Sequence, residues 1–81
     1  MKEYKLTSFD LEAIKRRSYR DVILDPIKWM DDRQKFLTDV YSFDNFEREK
    51  TISGGWCFRC FREKKGRLKM KQIYFYLTPI D

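Results

Sequence analysis

Eighty-one residues with 18 Lys and Arg, 13 Asp and Glu and no histidine make a chain of net charge +5. That length suits one small domain, residues 1–81, able to bury only about 60% of its unfolded surface. The missing imidazole removes the usual general base, the commonest metal ligand and the simplest pH switch, and no apolar run nears the roughly 20 residues that cross a bilayer.

Lys2 and Glu3 open a stretch with no apolar core, so the first residues do not read as a secretory signal. With two cysteines, the expected setting is reducing and cytoplasmic. Lys2–Ser8 reads as a short extended segment with Tyr4 and Leu6 on one side. Thr7-Ser8-Phe9-Asp10 then matches the capping pattern of a helix start. From Phe9 onward, Leu11, Ile14, Ser18 and Val22 recur at helical spacing, which predicts a first helix. Its charged side pairs Glu12 with Arg16 and Arg17 with Asp21 at i,i+4, so the cluster Lys15-Arg16-Arg17 is expected to be a solvated face.

Asp25-Pro26 is the strongest local signal. Asp caps the free amides, and proline at the first helical position has no N–H to lose. A second helix is predicted from Pro26 to about Ser42. Ile27, Met30, Leu37 and Tyr41 form one apolar seam, and Trp29, Phe36, Val40 and Phe43 form another, spanning roughly 200° together. Such a helix is either packed on two sides or offers one seam to a partner.

Asp44–Lys50 fits a helical turn or a strand equally well. Gly54-Gly55 resembles a two-residue hairpin loop, and Lys64-Lys65-Gly66 a three-residue loop with glycine in the left-handed position. The second loop sets Glu63 opposite Arg67 and Cys60 opposite Met70. In that register Trp56, Phe58, Cys60, Leu68, Met70 and Tyr74 face the core, while Arg59, Phe61, Arg67, Lys69 and Lys71 face outward. The fold expected is α+β: two N-terminal helices packed on a C-terminal antiparallel β-hairpin or three-stranded meander.

Residues 1–55 carry 11 basic and 11 acidic side chains, whereas residues 56–81 carry 7 and 2, the entire surplus. Cations interleaved with aromatics on a strand suit phosphate contact and base stacking. The expected site for DNA or RNA is therefore Arg59, Phe61, Lys64, Lys65, Arg67, Lys69 and Lys71. The alternative is a small inhibitor or adaptor binding a larger protein, or a second copy of itself, through Trp29, Arg33, Phe36 and Val40, residue types enriched at interfaces. In general look the chain resembles the accessory proteins of phages and mobile elements.

Cys57-Phe58-Arg59-Cys60 is a C-x-x-C on a strand, where positions i and i+3 point to opposite faces. Zinc would need two more soft ligands, which the chain lacks. No nucleophile motif, phosphate loop or convergent carboxylate pair is present, so no catalysis, cofactor, metal or membrane association is expected.

Overall fold

The segment that reads as a first helix is the turn and second strand of a hairpin. The computed structural model describes residues 2–80. In chain order it contains β1 (Glu3–Asp10), β2 (Lys15–Ile23), α1 (Pro26–Tyr41), β3 (Asn45–Lys50), β4 (Trp56–Arg62) and β5 (Lys71–Ile80). The strands form one antiparallel sheet in the order β2-β1-β5-β4-β3, and α1 packs across one face through Met30, Leu37 and Trp29. The expectation of two N-terminal helices on a C-terminal hairpin or meander is thus corrected to a mostly antiparallel five-stranded sheet with a single helix.

The misleading signal lies in Thr7–Asp10. The Asp10 carboxylate does accept downstream amides, from Glu12 at 3.0 Å and Ala13 at 3.2 Å, but it closes an Asx turn instead of starting a helix. Ile14 takes a left-handed φ of 49°, and the chain doubles back to set Lys15 opposite Asp10. As a strand, Glu3–Asp10 pairs on both sides, with β2 and with β5; a helix would forgo both ladders. Tertiary pairing overrides local propensity here. The extended reading of Lys2–Ser8 holds: Tyr4 and Leu6 are buried on one side of β1. β2 is an edge strand whose charged side chains and register shift opposite Leu6 discourage pairing with another chain.

The predicted helix forms as its cap dictates. Asp25 accepts the Lys28 N–H at 3.1 Å, and Pro26 opens the first turn. Ser42 ends the helix in a left-handed conformation (φ 59°) and donates its N–H to Leu37 O. Met30 and Leu37 are buried beneath it, while Ile27 and Tyr41 lie exposed at the margins of the same seam. Under the helix, Phe58 is the central ring, stacked on Phe46 at 5.9 Å and tilted against Phe75 at 6.2 Å. Tyr4, Leu6, Ile23, Phe43, Cys60 and Leu77 complete that core. No helix among the described residues is long and apolar enough to cross a membrane.

The β4–β5 register also differs from the expected one. Trp56 pairs with Leu77, Phe58 with Phe75 and Cys60 with Ile73. The tight turn forms where glycine was expected to allow it, with Gly66 at φ 55° and Lys65 and Leu68 exchanging both backbone hydrogen bonds. That turn sits inside a longer connection, residues 63–70, so the partner strand slides by three residues. An odd shift exchanges the faces of β5. Tyr74 leaves the core for the opposite face, and Leu68 and Met70 lie exposed in the loop.

Asp44–Lys50 resolves into β3, and its connection to β4 is the five-residue loop Thr51–Gly55 rather than a two-residue turn. Gly54 supplies a φ of 86°, and Thr51 Oγ1 accepts the Gly55 N–H at 2.9 Å. Gly55 is buried against β5, where a Cβ would overlap Leu77 O. Gly66 has open space around it but a left-handed backbone. Gly55→Ala is therefore expected to cost about 1–3 kcal/mol through overpacking. Gly66→Ala should cost about 1 kcal/mol through backbone preference alone. Each kcal/mol lowers Tm by roughly 4–8 °C at this size. Equal or reversed losses in a pair of thermal melts would contradict this close approach.

Candidate nucleic-acid interface

The helix packs on one face of the sheet, and among the described residues no element packs on the other. Strand alternation puts Arg59 and Phe61 of β4 on that open face, as the sequence predicts. The remaining expected cations go elsewhere. Lys71 pairs with Arg62 on the helix side, where its ammonium meets Asp10 at 3.3 Å. Lys64, Lys65, Arg67 and Lys69 lie in the exposed loop, with Lys65 held by Asp44 at 2.8 Å. Arg59 is bound to Glu49 at 2.7 Å. The continuous basic strand face that the shorter loop would have built does not form.

In its place the open face carries aromatic rings. Adjacent pairing sets Arg16, Phe9, Tyr74 and Arg59 in one row across β2, β1, β5 and β4. The Arg16 guanidinium lies 5.7 Å from the Phe9 ring centre, and that of Arg59 lies 5.8 Å from Tyr74. Phe61 meets Tyr74 edge-on at 6.2 Å, and Tyr76 lies one step further along β5. Phe9, Arg16 and Tyr74 were missed because Phe9 was read into a helix and Tyr74 into the core. The alternation Lys5-x-Thr7-x-Phe9, opposite Tyr4-x-Leu6-x-Ser8, was the signal that could have placed Phe9.

The antiparallel order also gathers charge. The start of β2, the end of β4, the loop 63–70 and the start of β5 all lie at one end of the sheet. Lys15, Arg16, Arg17, Arg62, Lys64, Lys65, Arg67, Lys69 and Lys71 meet there against Asp10, Glu12, Asp44 and Glu63. Lys15-Arg16-Arg17, expected on a neutral solvated helix face, instead joins the C-terminal cations. Arg62 serves structure: it donates to Tyr41 O at 2.8 Å and to Lys69 O at 3.0 Å, tying the loop to the helix end. Among the described residues, Lys64, Arg67, Lys69 and Arg16 have no carboxylate within ion-pair distance.

The alternative partner seam is divided. Trp29 packs edge-on against Phe75 at 5.3 Å and is partly buried. Arg33 lies over Trp29 and Phe36 at 5.1 and 5.5 Å. Phe36 and Val40 remain exposed. The cysteines point to opposite faces of β4, and both are buried. Among the described residues no three potential metal ligands of the His, Cys, Asp or Glu type come together. No family model, curated protein or solved structure matches the chain.

Two titrations follow from this geometry. Burial pushes the Cys60 thiol up to about 12, and burial also raises Cys57. A raised acid favours the folded state below the ordinary value of 9.0, and that contribution is lost as pH rises through the native value. The native protein at pH about 8 should therefore resist a thiol reagent such as DTNB, with both thiols reacting only in denaturant. Fast native labelling of Cys60 would refute its burial. Asp10 behaves oppositely. Burial raises its pKa, but the Ala13 N–H, the Lys71 ammonium and the Glu12 N–H together hold it below the ordinary 3.8. Its stabilising contribution is present above 3.8 and lost as pH falls through the native value. An NMR titration should place the Asp10 midpoint below 3.8, and Lys71→Met should move it upward.

Proposed function

We propose that this chain is a small, non-catalytic binder of single-stranded nucleic acid, DNA or RNA. Unpaired bases stack on Phe61, Tyr74 and Phe9 of the open sheet face, and Arg16, Lys64, Arg67 and Lys69 neutralise the backbone. The observation that supports this reading is the row Arg16–Phe9–Tyr74–Arg59, with Phe61 beside it, on an uncovered sheet face next to the end where the cations collect. Aromatic rings on a sheet accept the face of any base, at roughly 1–3 kcal/mol each. Arginines beside them reach phosphates and can stack as well. A duplex offers no free base faces, so the preference is for single strands.

Phe36 and Val40, exposed on α1, favour a protein partner or a second copy as the other reading. That surface is remote from the stacking row, so the two separate by mutation.

Anisotropy titration of a labelled single-stranded oligonucleotide tests the proposal. With about four phosphates contacted, raising salt from about 50 to 200 mM should weaken binding on the order of 50-fold. Phe61→Ala should weaken binding about 5- to 150-fold. Lys64→Gln with Lys69→Gln should flatten the salt slope and weaken all sequences alike. Phe36→Ser with Val40→Ser should leave binding unchanged. No binding at micromolar protein in about 50 mM salt, or equal affinity for duplex, overturns the reading.

A further inference from the structure

On the helix side of the sheet, α1 stops short of covering β1 and β2. The gap is an open cleft of about 370 Å³ between the C-terminal half of the helix and those two strands. That volume falls at the small end of the roughly 300–1,000 Å³ typical of small-molecule sites. Lys15 and Arg17 line it from β2, Lys71 from β5 and Arg33 from the helix. One carboxylate faces them, that of Asp10, and it is engaged by Lys71 at 3.3 Å and by the amides of Glu12 and Ala13.

Among the described residues Lys15, Arg17 and Arg33 have no anionic partner. Arg33 is half-buried, its guanidinium 5.1 Å from the ring centre of Trp29 and 5.8 Å from that of Phe75. Arg17 lies over the Tyr19 ring at 4.9 Å. Of the three only Arg33 is partly withdrawn from water, and Lys15 and Arg17 stay exposed. Three cations lining one cleft beside a single, already engaged carboxylate leave it positively charged, which favours an anion. The cleft also offers neutral donors, the Ser8 and Tyr19 hydroxyls, 3.3 Å apart. Phe36 and Tyr41, edge-on at 5.6 Å, form its aromatic wall.

We infer that this cleft binds a phosphate monoester carried on a flat aromatic base, the chemistry of a nucleoside monophosphate. The phosphate lies among Lys15, Arg17 and Lys71, within reach of the two hydroxyls. The base lies against Phe36 and Tyr41, with Arg33 between the two ends of the ligand. Arginine and lysine together suit a dianionic phosphate, the first by its planar fork and the second as a mobile point charge. The same group occurs on a free nucleotide and on the 5′ end of a nucleic-acid strand. This site is on the opposite side of the sheet from the stacking row, so it stands or falls independently of that reading.

Adenosine monophosphate, adenosine and a 5′-phosphorylated dinucleotide are the probes, titrated into isotopically labelled protein and followed by amide NMR. Adenosine monophosphate should shift Lys15, Arg17, Tyr19, Arg33 and Lys71. Adenosine should bind at least about tenfold more weakly, since charged hydrogen bonds to the phosphate are lost. Lys15→Gln with Arg17→Gln, on an exposed edge strand, should weaken the monophosphate about tenfold or more. Phe61→Ala should not affect it. Tighter binding of the phosphorylated dinucleotide identifies a strand terminus as the ligand, and tighter binding of the monophosphate identifies a free nucleotide. The inference is overturned if millimolar monophosphate shifts none of these amides. Equal binding of adenosine, or indifference to the Lys15/Arg17 variant, overturns it as well.

Discussion

A single helix has to cover one face of a five-stranded sheet, and it is too narrow to do so. Strands about 4.8 Å apart put roughly 19 Å between the outer two. A helix with its side chains is about 10–12 Å across, and 16 residues extend about 24 Å. Seated over β4 and β5, α1 seals Phe58, Phe75 and Leu77 from water. It leaves the inner faces of β1 and β2 only partly roofed. The cleft is the geometric remainder of that mismatch, and no element among the described residues roofs the opposite sheet face.

Arginines make up part of the shortage. Arg48 reaches from β3 to Asp31 and Gln34 of the helix at 2.7 and 3.2 Å, and its guanidinium lies over the Phe58 ring at 5.3 Å. Arg62 does the same over Phe43 at 5.6 Å while binding the last helical carbonyl. Each long side chain covers apolar surface with its stem and plane and keeps polar edges for hydrogen bonds. Aromatic content and arginine content are thus linked: rings too large for one helix to cover are finished by flat cations. A lysine in these places would lack the plane. Some of the positive charge that looks available for ligands is therefore already committed to the core.

What could be read from the sequence was local and strongly marked. Asp25-Pro26 and the Met30–Leu37 spacing specify α1 almost to the residue, because a cap and a buried periodic seam act within a few turns. Trp56, Phe58 and Cys60 against Arg59 and Phe61 specify the two faces of β4 for the same reason. β2 was illegible because it is an exposed edge: apart from Ile23 it buries almost nothing, so no alternation marks it as a strand. Its existence depends on β1, and the position of β1 depends on β5, some sixty residues away in sequence. The β5 faces were misassigned for a different reason. Gly66 does turn the chain, but inside a longer loop, and a three-residue slip moves Tyr74 and Lys71 each to the other side. The candidate surface changed with it, from a lysine-rich strand to an aromatic row beside a basic end.

The central strand of the sheet, β5, is the latest in sequence and pairs with the earliest, β1, with Glu3 opposite Ile80. Closing a loop of that span carries an entropic cost that no local contact offsets until β5 is present. On a ribosome, β1 and β2 emerge with a hairpin's worth of pairing and no hydrophobic partner, and two-stranded ribbons are at best marginal in water. The core residues Phe75 and Leu77 arrive only with the last strand. Folding of this domain therefore waits on its fifth strand by topology: the nascent chain stays open until β5 has emerged, and then collapses as a unit. Long-range pairing of this kind places the domain among the slower folders for its size. A ribosome-stalled chain ending before residue 71 would lack the middle of its sheet, not its margin.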